Sequence, residues 1–247
     1  MALKKKKTVF NIAMLSLETI IYENLDEEKK TIFNLDEFRK KSTLEEKKLY
    51  LQETCFFLNH GTYREVYQTD NNTVIKIAID HDASIKQNTK EIKIWECSGN
   101  SPILVKIIDY DKKQFEWLLV EKVDIVYADT MIDEETCLRA INRTLGVNAV
   151  TTLPDGFAIK WFVNSLVLLK NGATLGEIQT ELDLDLDVMF ANDSIMKALR
   201  YVWPDNLNTW TKNLIELIEN CGLSTGDFHC GNWGVINGEM VLIDYGY

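Results

Sequence analysis

The 247-residue sequence contains no apolar run as long as the roughly 18–20 residues that a membrane-spanning helix needs. It is also short of basic residues: 27 Lys and Arg face 38 Asp and Glu, for a formal net charge of −11. That balance disfavours an extended surface for nucleic acid or for an anionic membrane, because either partner requires a positive field. The lysines at positions 4–7 are not followed by a continuous apolar stretch with a small-residue cleavage site, so we expect no signal peptide.

Cysteine and histidine are too few and too scattered to predict a metal site of their own. The five cysteines form no CxxC pair, and only three histidines could join them, so zinc is not expected. An odd number of scattered cysteines is typical of a reducing compartment. A chain of this length is expected to bury enough surface to fold without a disulfide. We therefore predict a cytoplasmic location.

Proline and glycine are also scarce, at 3 and 12 residues, so the few breaks in the pattern are informative. Residues 9 to 57 have the apolar spacing of helices. We interpret residues 1–54 as an N-terminal helical extension. Its predicted apolar positions include Phe38, Leu44, Leu49 and Leu51.

Residues 55–123 have the β-branched and aromatic content of strands. The predicted elements are strands over 55–59, 64–69 and 73–79, a helix over 84–97, and strands over 103–110 and 115–121. This order predicts an antiparallel sheet with one helix laid against it.

Residues 124–247 are mostly helical by pattern and end in a hairpin. Helices are predicted over about 133–145, over 157–170, from residue 193, and over 205–221 with Gly222 in the C-terminal capping position. Asn237-Gly238, between two apolar runs, is the strongest type of short hairpin signal. The fold class predicted for the whole chain is α+β.

Lys76 is the first residue that points to chemistry. It lies inside an apolar strand, and its neighbours Ile75 and Ile77 face the other side of that strand. A lysine in this position is usually solvent-facing on an edge strand, whereas a lysine on an inner face needs an anion. Glu91 on the following helix is the candidate partner, since Glu96 would point elsewhere.

A second group of polar residues brackets the C-terminal hairpin. The hairpin is expected to bring Asn232 and Asp244 together, and oxygen ligands from these two side chains suit Mg²⁺. Asp227, five residues before Asn232, would lie beside the metal and accept or orient a hydroxyl proton. Taken singly, each residue is also explained as a capping aspartate or a turn asparagine, and that structural alternative stays open.

Together with the turn around Gly61, these segments resemble the protein-kinase-like superfamily. The similar elements are a degraded glycine-rich loop at 58–67, the lysine strand at 74–76, the strand into the hinge at 118–121, the catalytic loop at 226–232 and a DFG-like element at 244–246. The catalytic-loop sequence is closest to the Asp-x-His-x-Gly-Asn form of atypical phage-encoded protein kinases and small-molecule phosphotransferases.

The resemblance implies a bilobal fold, in which 55–123 form a kinase-like N-lobe and 124–247 a mostly helical, C-terminally truncated C-lobe. It implies ATP and Mg²⁺ as cofactors. The implied catalytic residues are Asp227 and Lys76, and the implied metal ligands are Asn232 and Asp244. The residues implied to bind the nucleotide are Gly61, Thr62, Tyr63, Lys76, Glu91, Glu121 and Val123.

The predicted function is therefore a Mg-ATP-dependent phosphotransferase, foremost a phage-like protein serine/threonine kinase acting on a protein in the cytoplasm, that of the host if the chain is viral. Neither nucleic acid nor membrane is an expected partner. Asn59 and Arg64 stand at two usual glycine positions and no activation segment follows Asp244, which favours a pseudokinase-like module that binds nucleotide or a partner without catalysis. The long segment 124–225 leaves open a small-molecule kinase resembling aminoglycoside phosphotransferases.

Overall fold

The structure is a computed structural model that describes residues 32–80, 82–125, 144, 156–184, 192–226, 228 and 232–246. Three predictions concern other residues and lie outside this part of the chain. They are the helical pattern before residue 32, the helix over 133–145 apart from residue 144, and the role of Asp227.

The described N-terminal segment forms two helices. Helix α1 spans Leu35–Arg39, and the side chain of Asn34 caps it by accepting hydrogen bonds from two backbone amides. Helix α2 spans Leu44–Thr54 and begins with a capping box, in which Thr43 and Glu46 each accept from the other's backbone amide.

Five strands form one antiparallel sheet in the order β1-β2-β3-β5-β4. Their bounds are β1 Phe56–His60, β2 Arg64–Gln68, β3 Thr73–Ala78, β4 Ile107–Tyr110 and β5 Trp117–Glu121. Helix α3, Ala83–Cys97, lies between β3 and β4 in the chain. The predicted order of three strands, one helix and two strands is confirmed, and every pairing in the sheet is antiparallel.

Strand β3 is buried on both of its faces, and for this reason its sequence is an almost continuous apolar run. Val74 lies on one face, in the same cluster as Ile92 of α3. Ile75 and Ile77 lie on the other face, in a separate cluster. Lys76 therefore shares its face with Val74 and α3, because alternate residues of a strand point to the same side.

The second face is covered by α1 and α2. Phe38 packs edge-on against Trp117 of β5, with ring centroids 5.3 Å apart, and Leu44 and Leu51 are buried in the same cluster. Leu49 is 57% exposed, so its predicted place in this apolar stripe is wrong. Leu49 follows Leu44 by five positions, which is well over one helical turn, so its side chain points away from the sheet.

The described residues after 125 form mainly helices. Their bounds are α4 Gly156–Lys170, α5 Leu175–Leu184, α6 Asn192–Val202 and α7 Thr209–Cys221. Helix α7 begins later than predicted because Asn208 supplies the cap, its side chain accepting a hydrogen bond from the Thr211 amide at 2.8 Å. Gly222 ends α7 in the left-handed conformation, with φ of 70°, as predicted.

A second antiparallel sheet carries the C-terminal hairpin. Its strands are β6 Asp124–Ile125, β7 Trp233–Ile236 and β8 Glu239–Leu242. Asn237 and Gly238 form the predicted turn, both with positive φ, of 54° and 80°. The hairpin is also hydrogen-bonded to the segment after α3. The Val105 amide donates to the Leu242 carbonyl at 2.8 Å, and the Leu242 amide donates to the Ile103 carbonyl at 2.7 Å.

The fold class is α+β, as predicted: a five-stranded antiparallel sheet with α3 against it, followed by helices and the hairpin. In the ranges that the structure describes, none of the helices combines the length and apolar character required to cross a membrane.

A disulfide joins Cys97, at the end of α3, to Cys221, at the end of α7. The two Cα atoms are 5.6 Å apart, although 124 positions separate the residues in sequence. The sequence pattern missed this pair because the pairing depends on how α3 packs against α7, not on local spacing. Cys55 is buried and takes no part in a disulfide among the described residues.

Candidate active site

Lys76 and Glu91 form a buried ion pair, in which the Lys76 Nζ donates to Glu91 Oε1 at 2.7 Å. Glu91 is fully buried and Lys76 is 7% exposed. Strand β3 supplies the lysine on the face that α3 covers, and α3 supplies the glutamate opposite it. Glu96 points elsewhere, as expected, and accepts a hydrogen bond from the Tyr110 hydroxyl at 2.6 Å.

Asp244 reaches the same cluster from the far end of the chain, two residues after β8. Its Oδ1 accepts a hydrogen bond from Gln87 Nε2 at 2.9 Å and forms an ion pair with Arg64. The carbonyl of the preceding residue, Ile243, accepts a hydrogen bond from the Lys76 Nζ. The DFG-like segment is therefore bonded both to β3 and to α3.

The two residues after Asp244 pack the segment against its surroundings. Tyr245 is buried, and its hydroxyl donates to the Val105 carbonyl at 3.3 Å. Gly246 passes so close to α3 that a Cβ atom would lie 2.5 Å from the carbonyl oxygen of Gln87. A side chain at residue 246 would therefore push the segment off the helix that also holds Asp244.

Substitution Gly246→Ala is expected to lower the free energy of unfolding by about 1–3 kcal/mol, since the clash is with the backbone of a helix that cannot give way cheaply. Urea denaturation measures the effect. The matched control is Gly176→Ala in α5, where the nearest atom to an added Cβ is Thr174 Oγ1 at 3.9 Å. The free energy of unfolding of that control should be unchanged, or higher by up to about 1 kcal/mol because alanine has the greater helix propensity. Equal losses in both variants would contradict the close approach.

Arg64 completes the cluster, and the sequence reasoning did not assign it to the site. Its Nη1 donates to Glu91 Oε2 at 2.5 Å and to Asn88 Oδ1 at 3.3 Å. Its Nη2 is paired with Asp244. The guanidinium is thus a bridge between the carboxylate of α3 and the carboxylate that follows β8.

The register of β2 against β3 accounts for the position of Arg64. Val66 pairs with Lys76 across β2 and β3, and Arg64 pairs with Ala78. Residues opposite each other in an antiparallel pair share a face, and so do residues two apart along a strand. The register of the hairpin therefore directs Arg64 to the side of the sheet that holds Lys76.

The charges of the cluster balance, with two cations and two carboxylates in contact. Burial opposes ionisation of Arg64, but the charges of Asp244 and Glu91 outweigh it and raise the pKa of Arg64. Burial lowers the pKa of Lys76, against the opposing effect of Glu91. Burial also opposes ionisation of Asp244, yet the charges of Arg64 and Lys76 hold the pKa of Asp244 below its usual value. All of these shifts follow from packing four ionisable groups away from water.

The turn between β1 and β2 carries Gly61, Thr62 and Tyr63, and hydrogen bonds within the chain hold it. The Gly61 amide donates to the Arg64 carbonyl at 2.8 Å, so this N–H is used within the turn. A Cβ at Gly61 would lie 3.5 Å from that oxygen, an ordinary contact. Thr62 is exposed, and the carbonyl of Tyr63 accepts from the Ile79 amide at 3.0 Å. Nucleotide binding by Gly61, Thr62 and Tyr63 stays a prediction.

Glu121 and Val123 lie where the five-stranded sheet passes into β6. The Glu121 amide donates to the Lys106 carbonyl at 3.0 Å, and the Lys122 amide donates to the Asn72 carbonyl at 2.7 Å. Val123 packs against the main core. The backbone is thus held in a fixed path here, and its contact with an adenine stays a prediction.

Asn232 and Asp244 are neighbours in space, because the Asn232 carbonyl accepts from the Ile243 amide at 2.9 Å. Among the described residues, Arg64 and Gln87 bind Oδ1 of Asp244 and none binds Oδ2. A carboxylate oxygen beside an asparagine fits a hard cation such as Mg²⁺. Elsewhere in the described ranges, no cluster of three or more His, Cys, Asp or Glu side chains could hold a metal. Asp227 lies outside the described residues.

Comparison with solved structures finds similar chains at low sequence identity. One is a streptomycin–ATP ternary complex of APH(2″)-IIa, 13% identical over 92% of this chain and 69% of that chain, with a TM-score of 0.37. Another is ADP-bound aminoglycoside phosphotransferase APH(2″)-Ib, 14% identical over 82% of this chain and 69% of that chain, with a TM-score of 0.33.

A third similar chain is SAICAR synthase from Saccharomyces cerevisiae in complex with SAICAR. It is 13% identical over 29% of this chain and 35% of that chain, with a TM-score of 0.24. This chain therefore spans about a third of that synthase. No family model and no curated protein matches the sequence.

Proposed function

We propose that the protein is a phosphotransferase that uses Mg-ATP as phosphoryl donor and an alcohol as acceptor. The observation that carries the proposal is the buried Lys76–Glu91 pair, joined through Arg64 to Asp244. Burying four charged groups together costs free energy that an apolar core would avoid. Such perturbed groups concentrate at functional sites, and a phosphate-bearing ligand is the partner that this set of charges suits.

Each predicted residue has a part in this proposal. The ammonium of Lys76, oriented by Glu91, binds the α- and β-phosphates. Backbone groups of Glu121 and Val123 receive the adenine. The turn formed by Gly61, Thr62 and Tyr63 covers the phosphates.

Asn232 and Asp244, the latter through its Oδ2, are the residues that would hold Mg²⁺, which when bound compensates phosphate charge. The bond from Lys76 to the Ile243 carbonyl keeps the segment before Asp244 close to the phosphate site. Asp227 is proposed to accept the proton of the acceptor hydroxyl.

The acceptor that we propose is a protein serine or threonine, because the sequence at 226–232 and the degraded loop resemble phage-encoded protein kinases. A small hydroxyl compound is the alternative acceptor. The proposed organisation is a helical extension at 1–54, an N-lobe at 55–123 and a C-lobe at 124–247. The proposed location is the cytoplasm, that of the host if the chain is viral.

A second candidate function is a module that binds nucleotide or a protein partner without catalysis. The ion pair between Arg64 and Asp244 favours it. An aspartate that is already neutralised by an arginine is less available to a metal than a free one, and phosphoryl transfer requires the metal.

Labelled ATP separates these candidates. An active enzyme transfers the γ-phosphate to itself, to lysate proteins or to small hydroxyl compounds, and Asp227→Ala abolishes transfer while nucleotide binding is retained. A binding module binds ATP and transfers nothing. A protein that neither binds ATP in calorimetry nor transfers its phosphate would overturn the enzyme and the nucleotide-binding module, and would leave only a module that binds a protein partner.

Replacing Lys76 with methionine is expected to weaken ATP binding about 10- to 100-fold, the usual worth of a hydrogen bond to a charged group. Isothermal titration calorimetry measures the affinity. The control is Lys112→Met, an exposed lysine between β4 and β5, which should leave the affinity unchanged. If both variants bind ATP as the wild type does, Lys76 has no part in holding the phosphates.

A further inference from the structure

We infer that Arg64 is an internal counter-cation of Asp244, which keeps a divalent cation from binding this carboxylate tightly until the arginine is displaced. The inference rests on the proposed function only in assigning Asp244 to the phosphate site. The competition between Arg64 and a metal is a property of the chain itself and is measurable without nucleotide.

The first support is the position of the guanidinium. Arg64 is 4% exposed, and its Nη2 is paired with Oδ1 of Asp244. The same oxygen also accepts a hydrogen bond from Gln87 at 2.9 Å. One ion pair and one hydrogen bond thus fall on the same oxygen of the carboxylate, and a cation approaching the other oxygen meets the positive charge of the guanidinium close by.

The second support is the anchoring of Arg64 on its other side. Its Nη1 bonds to Glu91 at 2.5 Å and to Asn88 at 3.3 Å. Asn88 is itself fixed, since its Nδ2 donates to the Phe115 carbonyl at 2.8 Å. Arginine presents several donors in a rigid planar fork, so the guanidinium cannot leave Asp244 by a simple side-chain rotation without losing these bonds.

The third support is the charge balance. Lys76 and Arg64 already neutralise Glu91 and Asp244, so a divalent ion added here leaves a net positive cluster. A phosphate anion removes that excess. Metal alone is therefore expected to bind weakly, and anionic nucleotide is expected to bind with less dependence on metal than at a site where the aspartate is free.

The probe for the test is Mn²⁺ alone, added to the full-length chain and followed by electron paramagnetic resonance of the free ion. Arg64→Gln is expected to bind Mn²⁺ at least about tenfold more tightly than the wild type, within the range of coupling between linked sites. Adding Asp244→Asn to that variant should remove the gain. Equal Mn²⁺ affinities in the wild type and in Arg64→Gln would overturn the inference.

Arg39→Gln is the matched control. Arg39 pairs with Asp36 at 2.9 Å and also with Asp109, so it too is an arginine between two carboxylates, but it lies in α1 and outside the cluster. Its substitution should leave Mn²⁺ affinity unchanged. A gain equal to that of Arg64→Gln would show a general charge effect and would overturn the inference.

A second measurement does not depend on the folding of an Arg64 variant. Asp244→Asn in the wild-type background should change Mn²⁺ affinity by less than about threefold, because the coupling to Arg64 has already weakened metal binding there. A loss of tenfold or more on this single substitution would overturn the inference.

A measurement of ATP binding, made beside the Mn²⁺ titrations, separates this inference from the proposed function. If the Mn²⁺ results are as expected and ATP does not bind, the proposed function fails and the role of Arg64 stands. If ATP binds and the Mn²⁺ affinities do not differ, the role of Arg64 fails and the proposed function stands.

Discussion

Glutamine in place of Glu91 is expected to lower the free energy of unfolding by about 3–5 kcal/mol, because removing one partner of a buried ion pair leaves the other charge uncompensated. The side chain is fully buried and contacts two cations, Lys76 at 2.7 Å and Arg64 at 2.5 Å. Arg64 keeps Asp244 as a counter-charge, whereas Lys76 keeps, among the residues that the structure describes, only the Ile243 carbonyl. Urea denaturation followed by circular dichroism measures the loss.

Two further variants test the cause. Glu96→Gln makes the same chemical change on the same helix, at a residue whose partner is the Tyr110 hydroxyl near the surface, and should stay within about 0.5 kcal/mol of the wild type. Adding Lys76→Met to Glu91→Gln should recover part of the loss, since it removes the stranded charge. Losses that simply add would mean that the two side chains do not interact.

The free energy of unfolding of the single variant Glu91→Gln should increase as the pH rises. Without Glu91, burial lowers the pKa of Lys76 further, so the folded chain releases this proton before an unfolded lysine does, at about 10.4. Between those two values the unfolded state binds more protons, and the free energy of unfolding then increases with pH. The deficit relative to the wild type should therefore shrink from neutral pH towards about 10.

Breaking the Cys97–Cys221 disulfide is expected to cost about 3–5 kcal/mol, because the bond closes a loop of 124 residues and constrains the unfolded chain. Denaturation with and without a thiol reductant measures the difference. Peptide mapping under non-reducing conditions should recover the two cysteines in one cross-linked fragment.

Cys97→Ser provides the control for this experiment. The variant should be less stable than the oxidised wild type, and the reductant should not change it further. Separate free thiols at both positions, with no effect of reductant, would contradict the pairing. The oxidation state of Cys97 and Cys221 in cells also tests the proposed cytoplasmic location, because thiols in the cytoplasm are normally kept reduced.

The sequence was informative wherever the signal was local. Asn237-Gly238 predicted a hairpin because few residues other than asparagine and glycine adopt positive φ in succession. The strands around Lys76 and the helix around Glu91 followed from their apolar periodicity. The juxtaposition of those two side chains then followed from laying one helix on one sheet.

The sequence was uninformative where distant segments decide the outcome. By the resemblance, Arg64 stands at a usual glycine position, and its place in the cluster depends on the hairpin register and on the position of Asp244 near the end of the sequence. Cys97 and Cys221 pair only because α3 lies against α7. The spacing of the five cysteines in the sequence does not predict the contact between these two helices.

The second covered face of the sheet sets a limit on how short this chain can be. Ile75, Ile77 and Trp117 are kept from water by residues of α1 and α2. A chain cut at residue 55, where the resemblance places the edge of the N-lobe, would expose this apolar surface and would be prone to self-association. A fragment that contains Lys76 and Glu91 and keeps this face covered therefore has to include α1 and α2.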